Sequence, residues 1–69
     1  MYEVQSNSIQ AIGYEGTRMV VDFHDGSRYY VACGHEVFNA LLTAPSVGAY
    51  YNRHVRHAFP AVQVREAHA

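Results

Sequence analysis

The chain has no lysine, one cysteine, two prolines and no long apolar run, and each shortage narrows what the protein can be. A single cysteine, Cys33, cannot form an intrachain disulfide, which favours a reducing compartment. The first residues, MYEVQSNSIQ, lack the basic and then apolar stretch of a signal peptide, so we expect a cytoplasmic protein. No run approaches the ~20 apolar residues of a transmembrane helix, so membrane insertion is not expected.

The absence of lysine leaves five arginines against six acidic residues, a net charge of −1 with neutral histidines. This balance argues against non-specific binding of phosphate backbones through bulk positive charge. The cations are nevertheless concentrated, because Arg53, His54, Arg56 and His57 lie within five positions. The sequence therefore predicts a local basic surface on a protein of nearly neutral total charge.

The 69 residues predict a single domain of residues 1–69, with a core of about residues 4–60 and a tail of residues 61–69, because so short a chain has no room for a second core. In the tail, Val62 and Val64 alternate weakly with polar neighbours. This pattern fits either a short added strand or a frayed end.

Three successive segments have the composition of β-strands: SIQAIGYEG, RMVVDFHDG and SRYYVAC. In the first, Ile9, Ala11 and Gly13 alternate with Gln10 and Ile12, which predicts two opposite faces. The segments predict a three-stranded antiparallel meander.

In the second segment, Met19, Val21 and Phe23 are expected to be buried, with Val20 on the other face. This segment ends at Asp25-Gly26, a pair that favours a type I′ hairpin turn in which both residues have positive φ.

Helical periodicity begins after the third strand. Apolar residues recur at three- and four-residue spacing from about His35 to Ala44, which predicts an amphipathic helix ended by Pro45. Ser46 is then the expected N-cap of a second helix that ends before Pro60. Its core-facing positions are predicted to be Val47, Tyr51 and Val55. The expected fold is α+β, with three strands followed by two C-terminal helices.

Three segments together, SNSIQAIGYEG, DFHDGSRYY and VFNALLTAPSVGAYYNRHVRHAFP, resemble the KTSC domain over about residues 4–60. This domain is named for the C-terminus of certain lysyl-tRNA synthetases and also occurs as short bacterial proteins. The most specific residues of the resemblance are Ser46, Gly48, Tyr50, Tyr51, Asn52, Val55 and Arg56. The chain departs from the family where Tyr29-Tyr30 stands near its Tyr-x-Tyr and Cys33-Gly34 replaces its Val-Pro. The resemblance implies a β-β-β-α-α domain without established activity. RNA binding is suggested for this domain mainly because it occurs in certain lysyl-tRNA synthetases.

Aromatic and arginine side chains supply a candidate nucleic-acid surface, because single-stranded RNA is held by aromatic stacking and by cations on its phosphates. The candidate residues are Arg28, Tyr29, Tyr30, Tyr50, Asn52, Arg53 and Arg56. Alternatively, some of the tyrosines belong to the core, and only one of Tyr29 and Tyr30 is displayed on a given face. The two helix arginines would then be ordinary solvated cations near a helix C-terminus.

Metal binding and catalysis have weaker signals. His54 and His57 share a helix face and Cys33 lies near His35, but this spacing is not that of a structural zinc site. No third group is evident to orient His35 beside a Cys33 nucleophile. We therefore expect no metal, no cofactor and no enzymatic activity, while leaving open a pH-dependent role for His54 and His57.

A protein-interaction module is the alternative function, because two helices can cover only one face of a small sheet. Tyrosine and arginine are also the residues enriched at interface hot spots. In this alternative the chain is a bacterial or phage accessory factor that binds a protein partner or a second copy of itself.

Overall fold

Residues 1–64 are described by the structure, a computed structural model. They form an antiparallel sheet of five strands in the order β1-β2-β3-β4-β5, together with two helices. The strands are β1 (Tyr2–Glu3), β2 (Ile9–Glu15), β3 (Arg18–Phe23), β4 (Arg28–Val31) and β5 (Ala61–Val64). The helices are α1 (His35–Leu42) and α2 (Val47–Tyr50), and α2 continues as a π-helical segment (Tyr51–Val55). The α+β class is confirmed, and the three-stranded meander was an undercount.

The two strands beyond the predicted three are the edges of the sheet, and of these the sequence had left β5 open as either a strand or a frayed end. Strand β1 pairs with β2, but its two residues are too few to show alternation. Strand β5 pairs antiparallel with β4 although both helices separate them in the sequence, with Val62 opposite Tyr30. The tail is therefore a strand over residues 61–64, and the rest of the predicted tail lies outside the described residues. Both edge strands lie outside the predicted core of residues 4–60, one before it and one after it.

A β-bulge in β2 overturns the predicted alternation of the first strand. Ile9 pairs with Phe23 and Ala11 with Asp22, so two steps along β2 match one step along β3. Because of this extra residue, Ile12 joins Ile9 in the hydrophobic core, whereas simple alternation had placed them on opposite faces. Ala11 lies on the other face, although the prediction grouped it with Ile9.

The two faces of the sheet differ in what covers them, because the helices pack against only one face. Met19 and Val21 are buried against the helices as predicted, and Phe23 packs partly buried beside them. Val20 points to the other face, as expected, but is only 1% exposed. No helix of residues 1–64 covers that second face, which we call the outer face. We define it by four residues that lie opposite one another across strands β2 to β5: Gly13, Val20, Tyr30 and Val62.

The turn between β3 and β4 differs from the predicted two-residue type I′ turn. Gly26 has a φ of 94°, but the described residues include no non-glycine residue with positive φ, so Asp25 does not fit that turn. The Oδ1 of Asp25 instead accepts hydrogen bonds from the Ser27 N–H at 2.9 Å and the Ser27 hydroxyl at 2.6 Å. The Phe23 N–H donates to the Ser27 carbonyl at 2.9 Å, which closes a longer loop. The side chain of Asp25 therefore selects the turn in place of the backbone preference.

The second helical segment begins as predicted. The Ser46 hydroxyl accepts a hydrogen bond from the Ala49 N–H at 3.3 Å, so Ser46 is the N-cap. Val47, Tyr51 and Val55 are all buried, which confirms the predicted core face. The last turn is wider than in an α-helix, because the Arg56 N–H donates to the Tyr51 carbonyl, five residues back, at 2.8 Å.

The core lies between one sheet face and the helices. Its fully buried members include Ile9, Ile12, Met19, Val21, Val31, Leu41 and Val55. Helix α1 ends two residues before the predicted Ala44, and the Thr43 hydroxyl donates to the carbonyls of Asn39 and Ala40. None of the helices within residues 1–64 has the length and apolar character to cross a membrane.

Truncation of the helical core residues should destabilise the fold. We expect Tyr51→Ala and Val55→Ala each to lower the free energy of unfolding by about 2–4 kcal/mol, because each deletes a buried side chain from the contact between helix and sheet. Chemical denaturation measures the loss. Arg53→Ala, at an exposed position of the same segment, is the control and should leave stability nearly unchanged. Equal stability of all three variants would contradict the assignment of the helix faces.

Candidate functional site

The residues predicted to form one surface lie in three places. Arg28 and Tyr30 lie on the outer face, as their pairing with Asp22 and Val20 shows. Tyr50 and Arg53 line a shallow groove on the far side of the helical segment. The remaining three, Tyr29, Asn52 and Arg56, line a cleft between that segment and the sheet.

On the outer face, both arginines are engaged by neighbouring side chains. Arg28 donates two hydrogen bonds to the carboxylate of Asp22, from Nε to Oδ1 at 2.6 Å and from Nη2 to Oδ2 at 2.9 Å. This bidentate pair raises the pKa of the Arg28 guanidinium. The guanidinium carbon of Arg18 lies 3.8 Å from the ring centroid of Tyr30, a cation–π contact, and Arg18 also contacts Glu15 at 3.4 Å.

Tyr50 is half-buried against the core, and its ring contacts that of His54 in a tilted arrangement, with 4.7 Å between the ring centroids and an interplanar angle of 44°. Arg53 and His54 are exposed beside it. This groove is small, about 240 Å³, and it is bounded on its other side by Pro45 and Ala49. The groove therefore combines a tilted tyrosine–histidine contact with the exposed side chain of Arg53.

The cleft between helix and sheet has an aromatic floor, and we call it the aromatic cleft. The ring of Phe23 makes edge-to-face contacts with Tyr29 at 5.4 Å and with Tyr51 at 5.6 Å between centroids. The volume of the cleft is about 460 Å³. Polar side chains surround the three rings: Ser8, Asp25, Ser27, Asn52, Arg56 and His57.

A second, more polar hollow adjoins the aromatic cleft and shares Ser8 and Asn52 with it; we call it the serine groove. Its walls are the segment of residues 5–8 and the beginning of α2. The Ser6 hydroxyl accepts hydrogen bonds from the N–H groups of Ser8 and Ile9, and His24 Nε2 lies 3.0 Å from the Ser6 carbonyl.

Gly48 permits a close approach in the serine groove. A Cβ atom at this position would lie 3.1 Å from the Ser6 hydroxyl oxygen. A side chain at this position would therefore require the Ser6 hydroxyl to shift by a few tenths of an ångström.

The electrostatics of the aromatic cleft are polarised. Burial raises the pKa of Tyr51, and the neighbouring phenol of Tyr29 raises it further, whereas the positive charge of Arg56 acts in the opposite direction. Hydrogen bonds from Ser27 lower the pKa of Asp25, so this carboxylate stays ionised at neutral pH. The cleft thus has a cation beside its tyrosines and an anion at the β3–β4 turn.

The π-helical turn explains why Arg56 acts on Tyr51. In a regular α-helix, a residue five positions on lies about 140° around the axis, on another face. The i→i+5 hydrogen bond from Arg56 to Tyr51 closes a wider turn, which brings Arg56 back toward the side of Tyr51. The same turn places Asn52 and Arg56 on the rim of one cleft.

The weaker candidates have structural environments of their own. Burial raises the pKa of the Cys33 thiol, and the charge of Glu36 adds to the effect, which disfavours a thiolate nucleophile. The ring of His35 packs edge-on against Tyr14, with 4.9 Å between centroids, and its Nδ1 lies 3.2 Å from the Asn39 amide nitrogen. Among residues 1–64, no three histidine, cysteine or acidic side chains come together as a metal ion would need.

Sequence reasoning missed several residues of the cleft. It treated Phe23 and Tyr51 only as core, Asp25 only as part of a turn, and did not assign Ser27 or Ser8 to a site. These residues come from four separate segments, so no local spacing connects them. The available signal was the segment SNS at residues 6–8, which belongs to the stretch that carries the family resemblance.

Comparison with known proteins supports that resemblance. The model of the KTSC domain family matches residues 5–59. An uncharacterized protein of Stutzerimonas stutzeri (strain A1501) is 38% identical over 53 residues, which cover 72% of this chain and 75% of the relative. The matched range includes both walls of the aromatic cleft except Ala61 of β5.

Tyr51 should resist ionisation. Its folded-state pKa lies above the unfolded value of about 10, so the neutral phenol contributes stability that is complete below pH ~10 and is lost as the pH rises through the folded-state pKa. NMR of ring-labelled tyrosine measures the pKa directly. Arg56→Ala should raise that pKa further, because a nearby positive charge is removed, and Tyr51→Phe should lose less stability above pH ~10 than the wild type. Ionisation of Tyr51 at its ordinary pKa would contradict the described environment.

Proposed function

The chain belongs to the KTSC domain family, and we propose that it is a non-catalytic domain that binds RNA or another nucleic acid through one basic surface. This surface follows the basic segment, residues 53–57, around the helix, from the groove that Arg53 and Tyr50 line to the aromatic cleft that Arg56 lines. It retains Tyr29, Asn52, Arg53 and Arg56 of the candidate set, with Tyr50 at its border. Arg28 and Tyr30 are on the opposite side of the sheet and are not part of it.

The partners of the arginines are the observation that carries this proposal. The ion pairs found within residues 1–64 join Arg18 to Glu15 and Arg28 to Asp22. Arg53 and Arg56 take part in neither and are exposed. Phosphate binding requires cations that are not already neutralised by carboxylates, so the basic segment is better suited to it than the sheet.

The composition of the surface also supports nucleic acid over a simple anion. Tyr29 and Phe23 are half-buried aromatic residues beside Arg56, and aromatic rings next to cations are the usual components of sites for unpaired bases. The protonated Cys33 thiol and the separate packing of His35 favour binding over catalysis. Because the net charge is −1 and two arginines would contact phosphates, we expect modest affinity and a measurable but shallow dependence on salt.

Removal of the two helix arginines should abolish nucleic-acid binding. We expect the double variant Arg53→Ala with Arg56→Ala to keep the fold and to lose measurable affinity for a short single-stranded RNA and for tRNA. For the wild type, log Kobs should fall with log salt concentration with a slope of about −1.4, the value for two phosphate contacts on a single strand. NMR titration at low and near-physiological salt measures both effects.

The matched control is Arg18→Ala with Arg28→Ala, which changes the net charge equally but on the outer face. It should retain the wild-type affinity and salt slope. If both double variants lose affinity to the same extent, binding depends on total charge and the site assignment is wrong. Wild-type affinity in the Arg53 and Arg56 variant would contradict it directly.

A protein partner is the second candidate, and the outer face favours it. Val62 on this face is 66% exposed and lies opposite Tyr30 in the neighbouring strand. The neighbouring Tyr30 is half-buried under Arg18, so aromatic, apolar and charged groups lie together. Such a mixture is typical of protein interfaces. Under this alternative the domain is an accessory factor that binds a protein or a second copy of itself.

Val62→Asp tests the alternative. A carboxylate at the centre of a protein contact would be desolvated, so self-association or partner binding should weaken at least 10-fold, as measured by sedimentation velocity or by co-purification. Gln63→Asp, the adjacent residue on the opposite face of β5, is the control and should have no such effect. Equal behaviour of the two variants would exclude the outer face as the interface. RNA affinity should be independent of Val62.

A further inference from the structure

We propose that the aromatic cleft holds a single unpaired nucleotide, with its base against the partly exposed rings of Phe23 and Tyr29, above the buried Tyr51, and its phosphate beside Arg56. This inference rests on the proposed function and narrows it to a ligand and a geometry. The preferred partner is single-stranded RNA from which one base enters the cleft. Double-stranded RNA is excluded from this site.

The size and floor of the cleft favour a base. Its volume of about 460 Å³ lies within the range of about 300–1,000 Å³ that is common for small-molecule and cofactor sites. Phe23 holds Tyr29 and Tyr51 by edge-to-face contacts, with interplanar angles of 76° and 78°, so the floor is fixed before a ligand arrives. A preformed aromatic floor binds a flat ring without an added cost of ordering side chains.

The charges around the floor set the orientation of the nucleotide. The ionised carboxylate of Asp25 would repel a phosphate from the turn between β3 and β4. Arg56 and His57 line the cleft on the helical side, where their N–H groups can donate hydrogen bonds to a phosphate. The positive charge of Arg56 also disfavours a methylated ammonium group, which aromatic cages otherwise accept. A flat neutral ring joined to an anion satisfies both sides of the cleft.

The neighbouring hollow offers a path for the rest of a strand. The serine groove meets the aromatic cleft at Ser8 and Asn52 and is lined by hydroxyl and amide groups. These groups can donate hydrogen bonds to phosphate oxygens and ribose hydroxyls without regard to base sequence. In a duplex the bases are stacked and paired, so none can reach the floor of the cleft unless it is first unpaired.

The experiment compares a short single-stranded RNA, the same RNA annealed to its complement, AMP and ribose 5-phosphate, by NMR titration of the full chain. The single strand should bind at least 10-fold more tightly than the duplex. AMP should shift the amides of Tyr29, Asn52 and Arg56, and ribose 5-phosphate should shift them less. Tyr29→Leu, which keeps an apolar side chain but removes the ring, should lower single-strand affinity about 10-fold.

The matched control is Tyr30→Leu, the adjacent residue on the outer face, which should keep the wild-type affinity. If Tyr29→Leu does not fold, Asn52→Ala at the exposed rim and the AMP titration of the wild type decide the question. Equal affinity for single strand and duplex, with binding still lost in the Arg53 and Arg56 double variant, would overturn the cleft assignment and leave the proposed function standing. No binding of any RNA would overturn both. Affinity for AMP equal to that for the strand would keep the cleft and replace RNA by a free nucleotide as its source.

Discussion

The contact between the short helical segment of residues 47–55 and one face of the sheet is the interaction on which the other features depend. Val47, Tyr51 and Val55 bury this segment, and Tyr51 meets Phe23 of β3 edge-to-face at 5.6 Å. The contact covers one face of the sheet and leaves the other face without a helix. It also forms the aromatic cleft, because the residues that follow Tyr51 around the helix make one side of the rim of the cleft.

The π-helical turn couples stability to the site. A regular α-helix could bury Tyr51 and Val55 equally well, but it would turn Arg56 away from the tyrosine. The i→i+5 hydrogen bond keeps both apolar residues inward and returns the arginine to the cleft. Single π-helical turns often occur at functional sites, where they move one side chain without disturbing the rest of a helix. This association favours a function for Arg56 over the role of an ordinary solvated cation.

Local signals in the sequence were sufficient for the elements that local interactions determine. The Ser46 cap, the inward positions of the second helix and the strands β2, β3 and β4 all follow from spacing and residue type. The bulge at Gln10 could not be predicted, because it depends on which residue of β3 lies opposite each residue of β2. Strand β5 was ambiguous for the same reason, since its partner β4 is separated from it by both helices. The predicted type I′ turn at Asp25-Gly26 was wrong, because Asp25 does not adopt positive φ and its carboxylate accepts hydrogen bonds from Ser27 in a longer loop.

The predicted candidate residues lie on separate surfaces, and strand pairing explains this separation as well. Residue types predicted one surface, but alternation along β4 puts Tyr29 and Tyr30 on opposite faces, and only the register of the sheet says which face each one takes. Once that register is known, the arginines of the sheet and those of the helical segment differ in their side-chain partners. Those of the outer face contact Asp22 and Tyr30, whereas Arg53 and Arg56 are exposed on the helical segment. An exposed cation outside the ion pairs of residues 1–64 is better placed to bind a ligand than one beside a carboxylate, so the partners of the arginines, and not their number, locate the basic surface of a protein whose total charge is close to zero.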